Sequence, residues 1–310
     1  MDPLSDIFQT LRVRSSLYFR AHLTAPWGLE VPAQDRVARF HIVLDGSCLL
    51  GVEGKSEQHL QRGDLAVVPR GAAHTLRADE ASQTFALATV LDESAYDGRE
   101  DLYFGGEGSP TVLVCGHFAF DDNITHPVID ALPAVLHIRA TEGHDFRWLD
   151  GATQSLGAET RGRPPGWEVV ASRVSEILFV QILRAQIGRS ETPTAIAAFS
   201  DPQLSHALRA IHEDPQRKWN VEALARRAAM SRTAFAVRFR EHLGTPPMAY
   251  ITQWRLQKAR IALVDSDETV ASIAIDHGYQ SEAAFSRAFQ RLYGKPPATY
   301  RRDLRDAQLR

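Results

Sequence analysis

The chain has 310 residues and a mass of 34.5 kDa, with 44% hydrophobic and 24% charged residues and a net charge of −3. This length suits two domains, and the composition excludes collagen-like, coiled-coil-only and wholly disordered chains. No apolar run approaches the roughly 18 residues of a transmembrane helix, and the start, MDPLSDIFQTLRVRSS, lacks the basic and apolar regions of a signal peptide, so a cytosolic protein is expected. Two cysteines, Cys48 and Cys115, are too few for a disulfide framework or a four-thiolate zinc site. The net charge hides a split. From Glu191 onward there are 18 Lys and Arg against 13 Asp and Glu, a balance of +5, and the remainder carries −8. A basic final third on an acidic body fits a polyanion-binding module joined to something else, although ordinary surface variation produces splits of this size.

Residues 16–119 read as strands. Val37 to Leu44 is apolar-rich, and Gly46, Gly51 and Gly54 punctuate the next segments. Leu65 to Pro69, Thr84 to Leu91 and Thr111 to Phe118 complete the set, while the acidic, Gly-rich Asp92 to Pro110 reads as a loop. Short strands at this spacing predict a small β-sandwich or barrel. From Pro127 the pattern turns helical. Pro165 can open a helix reaching about Ile187, whose wide apolar surface must bury against something. Gly188 to Pro193 reads as a linker, with helices from there to the end.

The last hundred residues contain a repeat. Ser231 to Tyr250 and Ser281 to Tyr300 share 8 of 20 positions at an offset of 50 residues. Each copy opens with a capping serine, places two phenylalanines four residues apart (Phe235 and Phe239, Phe285 and Phe289), and ends at a glycine with Pro-Pro shortly after it. A short helix precedes each, over Val221 to Ala228 and Val270 to Asp276, which makes two helix-turn-helix units. A helical repeat for protein contacts is the competing reading, but two copies are too few for a solenoid. The faces opposite the phenylalanines carry small and basic residues: Arg232, Thr233, Ala236, Val237 and Arg240, then Glu282, Ala283, Ser286, Arg287 and Arg291. Short side chains allow close approach to a major groove, and a few long donors reach bases and phosphates.

Residues 200–310 resemble the tandem helix-turn-helix domain of the AraC/XylS family of bacterial transcription regulators. The resemblance rests on Ala223-Leu224-Ala225 through Gly244-Thr245-Pro246-Pro247, and above all on SIAIDHGYQSEAAFSRAFQRLYGKPPATYR at 272–301. It implies recognition helices at about Arg232–His242 and Glu282–Leu292, joined by a long helix over Pro246–Leu263, lying in successive major grooves. Arg232, Thr233, Ser286 and Arg287 are the candidate base contacts, and Arg240, Arg291 and Lys295 the candidate phosphate contacts. Ala236 and Val237 stand where relatives often carry longer polar groups, so readout by the first helix leans on methyl contacts and DNA shape.

Gly63-Asp64, Pro69, Gly71 and His74 fit the second cupin motif, G-x5-P-x-G-x2-H, and residues 5–190 resemble the cupin-type sensor domains of one branch of that family. The expected architecture is therefore an α+β two-domain chain: a cupin-like β-barrel with C-terminal helices over 1–190, a linker at 191–201 and an all-α double helix-turn-helix domain over 202–310. The first cupin motif lacks its metal ligands, because Arg39 stands at the glutamate position and no histidine occupies 32–35. No metal, cofactor or catalytic step is expected, a site from His74 with His41 or His117 being the alternative. If Arg39 faces the lumen, so do Val37, His41 and Val43. Arg39, His41 and His74 could then bind an anionic or hydroxylated effector, or else form structural pairs. Some cupin-bearing members of the family sense oxidants through thiols, which makes Cys48 and Cys115 redox candidates. Buried cysteine is more often an inert hydrophobe, and no Lys or Arg lies within two residues of either. Trp167 to Ile187 reads as a dimerisation helix or as packing on the barrel. The family implies double-stranded DNA, RNA polymerase, a second copy of the chain and a small-molecule effector as partners, no membrane, and activation as the output.

Overall fold

A computed structural model describes residues 2–120, 126–140, 147–186 and 194–308. The expected linker at Gly188 to Pro193 lies outside the described residues. The chain forms two compact units, one of 13–122 with 132–184 and one of 1–12 with 123–131 and 185–310.

The first unit is built from two sheets. One has the order β11-β6-β3-β10-β1-β9, with β1 at Arg14–Thr24, β3 at Val37–Asp45, β6 at Leu65–Val68, β9 at Leu102–Gly105, β10 at Pro110–Ala119 and β11 at Leu136–Ile138. The other has the order β5-β4-β7-β2-β8, with β2 at Gly28–Val31, β4 at Ser47–Val52, β5 at Gln58–Gln61, β7 at His74–Arg77 and β8 at Phe85–Ala86. A core of Ala21, Leu23, Trp27, Leu29, Val43, Leu50, Leu60, Leu76 and Leu113 includes both cysteines. Two helices, α4 (Arg147–Gly162) and α5 (Trp167–Gln186), come after the strands. Phe179 of α5 stacks on Phe118 at 4.7 Å, and Arg20 donates to the Gly157 carbonyl at 3.0 Å. Strand β3 is buried on both faces from Val37 to Val43, Arg39 and His41 included.

The cupin-like motif has a structural logic. Gly71 has φ +59°, and a Cβ there would collide with the Gln34 carbonyl, so the exit turn requires glycine. Asp64 accepts hydrogen bonds from the His137 ring at 2.8 Å and from the Gln61 and Ala140 amides at 3.0 and 2.9 Å, which pins this turn to β11. Three expectations need correction. Thr84 to Leu91 is not one strand: after β8 the chain turns into α2, Leu87–Glu93, with only Val90 fully buried. The expected loop at Asp92 to Pro110 contains β9, which pairs in parallel with β1. The stretch after Pro127 contains β11 between α3 (Pro127–Asp130) and α4.

The second unit is helical. Its C-terminal series is α6 (Leu204–Glu213), α7 (Val221–Arg227), α8 (Arg232–Leu243), α9 (Pro247–Asp265), α10 (Val270–Asp276), α11 (Glu282–Tyr293) and α12 (Pro297–Gln308). The repeat is visible in its caps. Ser231 and Ser281 each accept from the amide three residues on at 3.2 Å, and Gly244 and Gly294 end α8 and α11 at φ +70° and +77°. Phe235, Phe239, Phe285 and Phe289 are fully buried. One further member was not expected from the sequence. Helix α1, Pro3–Leu11, clusters with this unit rather than with the strands, burying Ile7 and Leu11. Residues 194–201, expected as linker, include a short 3-10 turn at Ala197–Phe199 with Ala198 buried.

Candidate functional sites

Helices α8 and α11 each bury one face and expose the other. Their phenylalanines point inward. On the opposite face Arg232, Thr233, Val237 and Arg240 of α8 are exposed, as are Glu282, Ala283, Arg287 and Arg291 of α11, while Ala236 and Ser286 are half-buried. The exposed arginines make no side-chain hydrogen bond among the described residues, which leaves their donors available to a polyanion. Arg238 shows the contrast: its guanidinium is bound to Asp201 at 2.5 and 3.0 Å. Lys295 lies beyond α11 in an exposed pair with Asp303 at 2.5 Å.

In the sheet unit, β3 and β10 pair so that Arg39 faces His117 and His41 faces Cys115. Alternation places Arg39, His41 and Val43 on one face of β3. Arg39 is 6% exposed. Its Nη2 donates to Gln34 Oε1 at 3.0 Å, while Nε and Nη1 have no partner among the described residues. His117 Nδ1 is likewise buried without a partner among them, and the Tyr18 ring stacks on His117 at 4.8 Å.

His41 and His74 come together at 2.8 Å between their Nε2 atoms, and the partners fix where the protons sit. His74 Nδ1 lies 2.8 Å from the Ala72 carbonyl, which can only accept. That nitrogen therefore carries the proton of a neutral ring, and His74 Nε2 accepts from His41 Nε2–H. His41 Nδ1 is left as an acceptor, 3.1 Å from Cys115 Sγ, so the thiol donates to it. Both rings are held neutral. Burial, reinforced by His74 and Arg39, keeps His41 well below the ordinary imidazole range, and burial brings His74 down to about 4. Of the three expected effector ligands, the two histidines thus satisfy each other and Arg39 retains open donors. Gln34 and Tyr18 were not anticipated beside it. Tyr18 reaches it from β1, on the far side of β10 from β3, and Gln34 from the segment just before β3, so only the sheet order brings them together. Among the described residues no three His, Cys, Asp or Glu side chains converge as a metal site.

The redox candidates are not poised for reaction. Cys48 and Cys115 are buried and unbridged. Burial pushes the Cys48 thiol up to about 12 and raises that of Cys115 as well, the opposite of a reactive thiolate.

On α5, Ala171, Leu178, Phe179, Ile182 and Leu183 are buried, whereas Val169 and Ile177 are 65% and 58% exposed. The helix packs against its own unit and retains an apolar outer stripe. No described helix is long and apolar enough to cross a membrane.

Comparison with known proteins agrees with both halves. The Cupin family matches residues 2–188, and the Helix-turn-helix domain family matches residues 224–303. A putative AraC-like transcription regulator of Streptomyces lividans is 34% identical over 97% of this chain and 98% of its own length. The HTH-type transcriptional regulator AlkR of Acinetobacter baylyi is 31% identical over 97% and 99%. The RCS-specific HTH-type transcriptional activator RclR of Escherichia coli is 29% identical over 98% and 99%. Among solved structures, the DNA-binding domain of AdpA in complex with a target DNA matches 36% of this chain and 98% of that one, at 33% identity and a TM-score of 0.34. The chain belongs to the AraC-like DNA-binding transcription regulators, with a cupin domain ahead of its helix-turn-helix domain.

Proposed function

We propose that this regulator is a homodimeric activator that reads two successive major grooves with α8 and α11 and responds to a small molecule held at Arg39. The observation that carries the reading is the matched pair of exposed faces on α8 and α11, backed by buried phenylalanines in identical positions. Arg232, Thr233, Ser286 and Arg287 supply base contacts, with Ala236, Val237, Glu282 and Ala283 lining the approach. Arg240 and Arg291 neutralise phosphates, and Lys295 does so after releasing Asp303. No catalytic step, metal or cofactor enters the scheme. Recruitment of RNA polymerase is the output that activation requires. The action is on DNA inside the cell.

The open donors of Arg39 suit a carboxylate or hydroxylated effector, and occupancy shifts the population of DNA-competent dimers. The apolar stripe of α5 suits a second copy of the chain. Ile177→Asp tests this by sedimentation, with a dimer-to-monomer change expected and an unchanged mass counting against the interface.

The deciding experiment measures binding of the full chain to genomic fragments, its own upstream region included, at two salt concentrations. Selective binding that weakens steeply with salt is expected. Arg240→Ala and Arg291→Ala should each lower the salt slope by about 1, and Arg287→Ala should relax sequence preference. Salt-insensitive or unselective binding would overturn the reading.

A further inference from the structure

Helix α9 is the covalent rod between the two helix-turn-helix units, and its Leu256, Ala259 and Leu263 pack in one core with Ile273, Phe285 and Phe289 of the second. The structure supplies a second attachment. From the middle of α9, Arg255 Nε donates to the Pro215 carbonyl at 2.6 Å and Nη2 donates to the Arg217 carbonyl at 2.7 Å. Both acceptors lie in the turn between α6 and α7 of the first unit. Arg255 Nη1 reaches the Gly278 carbonyl at 3.5 Å, in the turn that leads into α11 of the second. The two turns also touch directly. A Cβ at Gly278, whose φ is +80°, would lie 2.7 Å from the Gln216 carbonyl oxygen and 3.1 Å from Arg255 Cζ. Tyr279 then packs edge-on against Phe285 at 5.3 Å, carrying the position of this turn into α11.

We propose that Arg255, seated between the 215–217 turn and Gly278, is a positioning residue that fixes the separation of the two recognition helices and so sets the half-site spacing the protein accepts. The inference rests on the reading that α8 and α11 both bind DNA. The chemistry asks for arginine, because three carbonyls around one group need a planar fork with several donors, and a lysine ammonium on a flexible stem cannot hold all three in place. Gly278 is needed at the same point because any side chain would push the two turns apart.

The test uses the full-length protein and the tightest duplex recovered by it from random-sequence DNA, with one or two base pairs inserted between the half-sites. Wild type should lose about tenfold or more in affinity per inserted pair, the scale of a lost base contact. Arg255→Met and Gly278→Ala should flatten that penalty, with Arg255→Lys in between, while affinity for an isolated half-site stays unchanged. A wild-type spacing profile in Arg255→Met overturns the proposal. A second measurement needs no DNA: the distance between spin labels on Val237→Cys and Leu292→Cys, both at exposed positions. A narrow distribution that broadens in Arg255→Met supports the joint, and one that stays narrow overturns it. Broadening in a protein without selective DNA binding would sustain the joint and sink the DNA reading instead.

Discussion

Asp6 of α1 is a buried carboxylate at the centre of a polar cluster. It is 2% exposed and accepts from three groups of the helical unit: His212 Nδ1 at 2.9 Å, Lys258 Nζ at 2.6 Å and Trp254 Nε1 at 3.2 Å. Burial alone would raise its pKa, but the hydrogen bonds from His212 and Lys258 outweigh it and the carboxylate sits below its ordinary range. Removing one partner of a buried ionic cluster costs about 3–5 kcal/mol. Lys258 is 29% exposed and can swing into water, so Asp6→Ala belongs at the lower end, about 3 kcal/mol. His212 is fully buried, and its other nitrogen is occupied by the Tyr250 hydroxyl at 2.8 Å, so it has no such escape. The assay is urea unfolding of the full chain monitored by tryptophan fluorescence. Trp219 and Trp254 report on the helical unit, and Trp27, Trp148 and Trp167 on the sheet unit. The helical transition should move to lower urea while the sheet transition stays. A loss below about 1 kcal/mol, or equal movement of both transitions, would refute the role given to Asp6. Deleting residues 1–12 should mimic the substitution.

Two further outcomes come from local geometry. Ala229 sits at φ +52° in the first helix-turn-helix turn, where the second has Gly278, so Ala229→Gly should stabilise the helical unit by about 1 kcal/mol in the same urea assay. His74 titrates near 4 in the folded protein against about 6.5 unfolded, so the unfolded state binds its proton first and stability is lost as pH falls. Between pH 7 and pH 5 that loss is about 2 kcal/mol for this one ring, and His74→Gln should flatten the pH dependence of the sheet transition correspondingly.

Legibility from sequence differed sharply between the halves. The helical repeat was readable because its determinants are local: a capping serine, phenylalanines four apart and a glycine at the end all act within one helix. Helix α10 runs over Val270–Asp276 as expected, and α8 and α11 each extend one residue further. The sheet unit was readable as strands but not as a topology. Strand β9 is four residues within an acidic loop, and only its parallel pairing with β1 reveals it. The arginine at position 39 drew attention because charge is conspicuous in an apolar strand. Its neighbour Tyr18 was hidden because a register shift in β1 between Leu17 and Phe19 decides which side chain turns toward His117, and Gln34 was hidden because it lies between β2 and β3, where strand alternation gives no direction. Helix α1 was missed for a similar reason: Asp6 pairs with residues more than two hundred positions away, and nothing within MDPLSDIFQT marks that destination.

The cysteines give the sharpest separation between two signals the cupin unit could sense. A thiol sensor requires thiolate at neutral pH and a path for the oxidant. Here the Cys115 proton is already committed to His41 Nδ1, whose own proton is committed to His74, and the relay ends on a backbone carbonyl. An imidazole that accepted the thiol proton would become a buried cation beside Arg39. Burial resists that charge, so the histidine stabilises the thiol without activating it. For Cys48, a pKa near 12 leaves a thiolate fraction at pH 8 about three orders of magnitude below that of a free cysteine. Iodoacetamide at pH 8 should therefore leave both cysteines unmodified in the folded protein and alkylate both in urea, as read by intact mass. Native labelling of either cysteine within about tenfold of a free thiol would show that the lumen opens, and would favour the thiols over Arg39 as the site of the proposed sensing.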